Sequence, residues 1–333
     1  MKPYEFGISP LGPSRRVKAA IRKAVKDINR KPGDARKRFE RLLFSKFGIG
    51  RDNVLLANSL KELVYAVLLS LQPEKVLIAG PAVGLYADAA RAAGAGVELL
   101  QGKEGAAMPN LGDLAEKSSG FDMVFLANPN RITGRAAEEN KLPGLIERLS
   151  HVGSHVVVDE SLIEFTRSQS LIERPLVRNN LIVLRTTACY YGLAGLELAY
   201  AVSSAPVIQS VARESHWELS LPAIVAAHAA MKDATYRKAT SRFMEAEKRL
   251  YREATRGMRG VVLHDADANV FCITSGECLD EVARCAEHAG LAAEFSAGGQ
   301  GGPFLSVSVM RHEHNLKLIG IMKKVCAADK STS

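Results

Sequence analysis

No lysine occurs between Lys141 and Lys232, so the middle of the chain offers no side-chain amine for covalent capture of a carbonyl compound. Aromatic residues make up only 6% of the chain, and none interrupts the basic run from Arg15 to Lys31. That excludes the stacking platform on which single-stranded nucleic acid is usually held, so no nucleic-acid partner is expected. The five cysteines, Cys189, Cys272, Cys278, Cys285 and Cys326, show neither CxxC spacing nor a pairing rhythm. This argues against a zinc site or a disulfide framework and predicts reduced thiols. No uncharged run approaches the length of a membrane-spanning helix. Met1-Lys2-Pro3-Tyr4-Glu5 leads into polar sequence without the apolar core of a secretion signal. A cytoplasmic location without a membrane partner is the expectation.

At 333 residues with 47% hydrophobic content, the chain is long enough for one large core and a smaller subdomain. The net charge of +8 is spread over the sequence, with its densest run at Arg15, Arg16, Lys18, Arg22, Lys23, Lys26, Arg30 and Lys31. Val17, Ala20, Ile21, Ala24 and Ile28 form an apolar stripe through this run, which reads as the solvated face of an early helix. His312-Glu313-His314 has two histidines at alternate positions, which diverge on a helix, and no third ligand is in view. No metal site is expected.

Short Val/Leu/Ile-rich runs alternate with helical patterns through the middle of the chain. They include Val54-Leu55-Leu56-Ala57, Lys75 to Ala79, Val97 to Leu100, Met123 to Ala127, His155 to Asp159 and Leu181 to Leu184. Near-continuous apolar runs of this length fit strands of a mostly parallel sheet, buried on both faces by crossover helices. Ligand chemistry in such a sheet collects at the carboxyl ends of strands, where Asn128, Asp159 and Cys189 fall. After Ser204-Ala205-Pro206 the pattern turns helical to about Arg259. Strand and helix signals then alternate to Ala327 in the manner of a compact α+β unit. The organisation predicted is an N-terminal segment and arm at 1–34, a large domain at 35–206, and linking helices with a small domain at 207–330. The last five residues read as a frayed tail.

Leu184 to Tyr200 reads LRTTACYYGLAGLELAY and resembles the segment R-S/T-x-S-K-x-F/Y-G-L-A-G-L-R-x-G-Y of class I/II aminotransferases. Ile8 to Ser14 resembles the N-terminal N-x-N-P-L-G-P segment of threonine-phosphate decarboxylases and histidinol-phosphate aminotransferases. Pro32 with Asp34 lies where Y-P-D is expected, and Asn58 to Leu63 where G-N-G-S-x-E-L is expected. Pro81 to Tyr86 is similar to P-T-F/Y-x-x-Y, Asn128 to Gly134 to N-P-N-N-P-T-G, and Asp159 to Phe165 to D-E-A-Y-x-x-F. His216 to Ser220 is similar to P-W-x-V-N. The matches run nearly end to end and in order. They imply the fold of the fold-type-I enzymes dependent on pyridoxal phosphate (PLP), a large domain with a mostly parallel sheet sandwiched by helices and a small α+β domain. They also imply PLP as cofactor and a two-fold homodimer in which each subunit completes its partner's site.

The departures fall on the residues that would touch the cofactor. Cys189 stands where the family has the lysine that forms the Schiff base, and a thiol makes no stable imine, so covalently held PLP is not expected. The ring-stacking aromatic corresponds to Val83, the asparagine at the ring's phenolic oxygen to Arg131, and the tyrosine beside it to Leu162. The arginine that pairs with the phosphate corresponds to Glu197, a reversal of charge. The substrate-clamping arginine corresponds to Ser306, and the tyrosine lent by the partner subunit to Lys31. Asp159 and Thr186 keep their family types, as a partner for a protonated ring nitrogen and as a phosphate-contacting hydroxyl. With Ser59 and Lys61 at the start of a helix they make up the cofactor-binding candidates. No catalytic residue is assigned.

Two functional readings follow. In the first, a degenerate member keeps the scaffold to bind a small anionic metabolite or a partner. In the second, the site has been re-tooled, or holds PLP without a covalent bond, and acts on an amino acid or its phosphate ester. There Arg131 and Lys31, with Lys61, would form a cationic pocket, and Cys189 could serve as nucleophile if those cations stabilised its thiolate.

Overall fold

The computed structural model describes residues 5–102, 109–138, 141–151, 153–172, 180–275, 278–297 and 302–328. The tail from 329 onward lies outside them. In chain order the elements begin with α1 (Arg15–Ala24), α2 (Gly33–Phe47), β1 (Val54–Ala57), α3 (Leu60–Leu71), β2 (Lys75–Ala79) and α4 (Gly84–Ala92). Next come β3 (Gly96–Leu100), α5 (Leu111–Lys117), β4 (Met123–Ala127), α6 (Leu142–His151), β5 (His155–Asp159) and β6 (Leu181–Thr186). They are followed by α7 (Ala188–Tyr191), β7 (Ala199–Val202), α8 (Ala205–Arg213), α9 (Leu221–Met231) and α10 (Ala234–Arg256). A second unit holds β8 (Val262–His264), β9 (Val270–Thr274), α11 (Leu279–His288), β10 (Ala293–Ser296), β11 (Phe304–Ser308) and α12 (His312–Ala328).

The larger sheet has the order β1-β7-β6-β5-β4-β2-β3. Strands β3, β2, β4, β5 and β6 run parallel, while β7 is antiparallel to both β6 and β1. Every residue of β4, and all of β5 but its first, is buried. This explains their unalternating sequences: both faces of the sheet are covered, so no position is left for a polar side chain. One covering layer draws on α1, α2, α6 and α9, and the other on α3, α4 and α8. The smaller sheet, β10-β11-β9-β8, is wholly antiparallel and packs against α10, α11 and α12. Strands β7 and β10 are not evident from the sequence: β7 follows directly on a glycine-punctuated turn, and the two middle residues of β10, Glu294 and Phe295, are exposed. Among the described residues no helix is long and apolar enough to cross a membrane.

The cysteine expectation needs correction. Cys278 and Cys326 form a disulfide, leaving Cys189, Cys272 and Cys285 free. Their separation of 48 positions shows no rhythm in sequence. The packing of α11 on α12 brings their Cα atoms to 5.3 Å, within the range a disulfide spans. Non-reduced protein unfolded in denaturant should therefore titrate three thiols, and five would show that the pair stays reduced. His312, at the start of α12, places its Nδ1 3.0 Å from Oε1 of Glu247 in α10.

The loop after β4 is locked to the smaller sheet. Gly134 has φ +69°, and a Cβ there would lie 1.8 Å from the carbonyl oxygen of Val270. Its own carbonyl accepts from the amides of Asp267 and Ala268. Gly134→Ala should therefore cost about 2–4 kcal/mol in thermal unfolding. A wild-type melting curve would show that the two sheets are not joined here.

Candidate functional site

Strands β4, β5 and β6 present their carboxyl ends side by side, and Asp159 is the last residue of β5. The carboxylate is 1% exposed. Its Oδ1 accepts from the amide of Ser161 at 2.8 Å and from the Ser161 hydroxyl, while Oδ2 accepts from the Tyr86 hydroxyl. The Arg131 guanidinium stands 3.7 Å from Oδ2. A carboxylate removed from water requires such partners. Tyr86 comes from α4, where its ring stacks on Phe125 of β4 with centroids 5.2 Å apart. Burial and the neighbouring Asp159 push its hydroxyl pKa well above the ordinary value, which keeps it a donor. Burial opposes the charge of Arg131, but Cys189, Asp159, Tyr86 and Glu197 hold its pKa above the ordinary one.

Arg131 is delivered by the turn after β4. There Asn130 Oδ1 accepts from the amides of Ile132 and Thr133, and its Nδ2 donates to the Pro81 carbonyl at 2.7 Å. Asn128 fixes the far side of the same loop by accepting from the Ala137 amide.

Glu197 and Thr186 form the other half of the site. The Thr186 hydroxyl donates to Glu197 Oε1 at 2.5 Å and accepts from the Ala188 amide at 3.0 Å. The same Oε1 accepts from the backbone amide of Leu60, the first residue of α3, at 3.1 Å. The reversed charge at Glu197 is satisfied within the chain by two donors, one of them at a helix N-terminus, where a negative charge is favoured. Burial raises its pKa, against the lowering effect of Thr186, Leu60 and Arg131. Ser59 is the N-cap of α3: its Oγ accepts from the Glu62 amide at 3.1 Å, and Glu62 reaches back to the Asn58 amide at 2.8 Å. The candidate cofactor residue Ser59 thus has a local structural task.

Cys189 lies in α7, directly beyond β6, and is 1% exposed. It packs with Leu162, Ala268 and Val270 beneath Phe6, Ile8 and Phe165. Its carbonyl accepts from the Ser9 amide at 2.8 Å, so the N-terminal segment is fastened over it. Burial pushes the thiol up to about 12, although Arg131 pulls the other way.

The proposed cationic pocket is not assembled by any described contact. Arg131 faces Asp159, whereas Lys31 pairs with Glu218 at 2.8 Å with both side chains exposed. Lys61 is exposed, 5.8 Å from the ring centroid of Tyr65. The structure brings Arg131, Asp159, Thr186 and Cys189 together and adds two residues whose roles the sequence reading missed. Tyr86 closes the segment similar to P-T-F/Y-x-x-Y, which was a usable signal. Glu197 carried the signal of a reversed charge, but not of where that charge would be satisfied.

Solved structures with this architecture include the histidinol-phosphate aminotransferase of Sinorhizobium meliloti in complex with pyridoxal-5'-phosphate, at TM-score 0.85 and 19% identity over 97% of this chain and 90% of that one. L-threonine-O-3-phosphate decarboxylase from Porphyromonas gingivalis gives TM-score 0.83 and 19% identity over 96% and 98%. The fold is that of the fold-type-I PLP-dependent transferases. In sequence, histidinol-phosphate aminotransferase 2 of Archaeoglobus fulgidus is 27% identical over 95% of this chain and 91% of the relative. The class I and II aminotransferase family matches residues 7–297, and the chain belongs to it.

The Cys189 thiol gives a direct test. With a pKa near 12, only about one thiol in 10,000 is ionised at pH 8, so native Cys189 should resist iodoacetamide while unfolded protein reacts. Because the folded pKa is raised above the ordinary 9.0, its contribution to stability is complete below pH 9 and declines as pH rises toward 12. Rapid native alkylation at pH 8 would contradict this burial.

Proposed function

We propose that this chain uses the aminotransferase scaffold without the imine chemistry of PLP, and that it serves as a degenerate member binding a small anionic metabolite or a partner protein. The observation that carries this reading is Cys189: a buried, neutral thiol occupies the place at the end of β6 where the resemblance calls for an amine. The residues present do not fit the cofactor. Asp159 is already supplied with a cation by Arg131, and a carboxylate sits on the helix N-terminus that would receive a phosphate. No step through PLP is derived for this site.

The same geometry speaks against Cys189 as nucleophile, since the thiolate needed for attack is disfavoured by its surroundings. For an anionic ligand the remaining support is the positive balance of the chain and the solvent-facing Lys31 and Lys61. A homodimer in the cytoplasm accords with family membership. In a dimer Lys31 would stand at the neighbour's cleft, as the tyrosine it replaces does in the family.

The test is the absorbance spectrum of purified protein before and after addition of PLP, with Cys189→Lys beside wild type. Wild type as purified should show no imine band, and neither wild type nor the variant should transaminate amino acids after PLP is added. A wild-type protein that carried stoichiometric PLP, or transaminated amino acids, would refute the proposal.

A further inference from the structure

Resting on that reading, we infer that the site has been filled as well as disarmed: Arg131 and Glu197 replace the two charged ends of the cofactor. Arg131 puts a cation 3.7 Å from Asp159 Oδ2, the pairing a protonated ring nitrogen would otherwise make. Glu197 puts an anion on the Leu60 amide at 3.1 Å and the Thr186 hydroxyl at 2.5 Å, the donors an oxyanion of the phosphate would use. Two further donors near the start of α3 are also engaged, the Glu62 amide by Ser59 and the Asn58 amide by Glu62. Cys189, near enough to Arg131 and Glu197 to feel both charges, packs with Leu162 against Phe6, Ile8 and Phe165.

The substitutions balance one another. Arg131 alone would bring a cation against a bound ring nitrogen, and Glu197 alone would bring an anion against a bound phosphate. Within the chain Arg131 instead stabilises both carboxylates: Asp159 and Glu197 help hold Arg131 protonated, and Arg131 lowers the pKa of Glu197 against burial and the repulsion of Asp159. The geometry therefore assigns the loss of cofactor affinity to competition from the protein's own side chains, which restoring a lysine would leave in place.

The experiment uses pyridoxine 5'-phosphate, which has the ring and the phosphate but no aldehyde, so surface lysines cannot capture it. Binding is measured calorimetrically on full-length wild type, Cys189→Lys, Glu197→Gln and the pair Arg131→Asn with Glu197→Arg, each checked for native circular dichroism. Wild type and Cys189→Lys should show no binding. The double variant should bind at least about tenfold more tightly than wild type, because a like charge is replaced by a bidentate phosphate partner. Glu197→Gln, nearly the same in shape, should fall between, and it decides the matter if the double variant fails to fold.

A folded double variant, or failing that a folded Glu197→Gln, with no gain over wild type would overturn the inference. So would tight binding by Cys189→Lys alone. Either result leaves the proposed function standing, whereas transamination by wild type, or PLP retained by it through purification at one per chain, would remove both.

Discussion

A single buried carboxylate organises this site. Asp159 is sealed at the end of β5, where an ionised group without partners would destabilise the fold severely. Meeting its demand draws in Tyr86 from α4, Arg131 from the loop after β4, and Ser161 from its own turn. The neighbouring Glu160 points to the opposite side of the strand, as alternation requires. There it accepts from the Leu171 amide at 2.6 Å and lies 3.4 Å from Arg185, which also holds Glu164 at 2.6 Å. The last acid of β5 and the acid that follows it thus anchor two separate charge networks.

Much of the framework could be read from the sequence. The buried strands Met123–Ala127 and His155–Asp159 declared themselves through unbroken apolar runs, and the order of family-like segments placed the carboxyl-end loops correctly. What stayed hidden was pairing between distant positions. A disulfide between residues 48 apart depends on how two helices pack, and the strand Ala199–Val202 runs straight out of a glycine-punctuated apolar turn, so no boundary sets it off. At the site, sequence showed which side chains had changed but not what they had come to touch. Glu197 looked like a lost contact because its new donors, Leu60 and Thr186, belong to two other elements.

Changes at cofactor positions of such a scaffold are constrained by electrostatics more than by shape. The backbone donors at the start of α3 are products of the fold itself and persist whatever the site does, and this chain also keeps the acid at the end of β5. A member that drops its ligand must still satisfy them. Substituting residues of complementary sign meets that need from within, at the cost of making the change hard to reverse one residue at a time.

The N-terminal segment joins distant parts of the molecule. The Ser9 amide reaches Cys189, and its hydroxyl meets Tyr236 at 3.2 Å. The Gly7 amide donates to Ser308 at 3.1 Å, and its carbonyl accepts from Asn269. Residues 7 and 308 are 301 positions apart, so the strap can take its final place only after the strand of the smaller sheet that receives it has been made. During synthesis the apolar cluster around Cys189 therefore lacks part of its cover while the larger sheet is already available to fold.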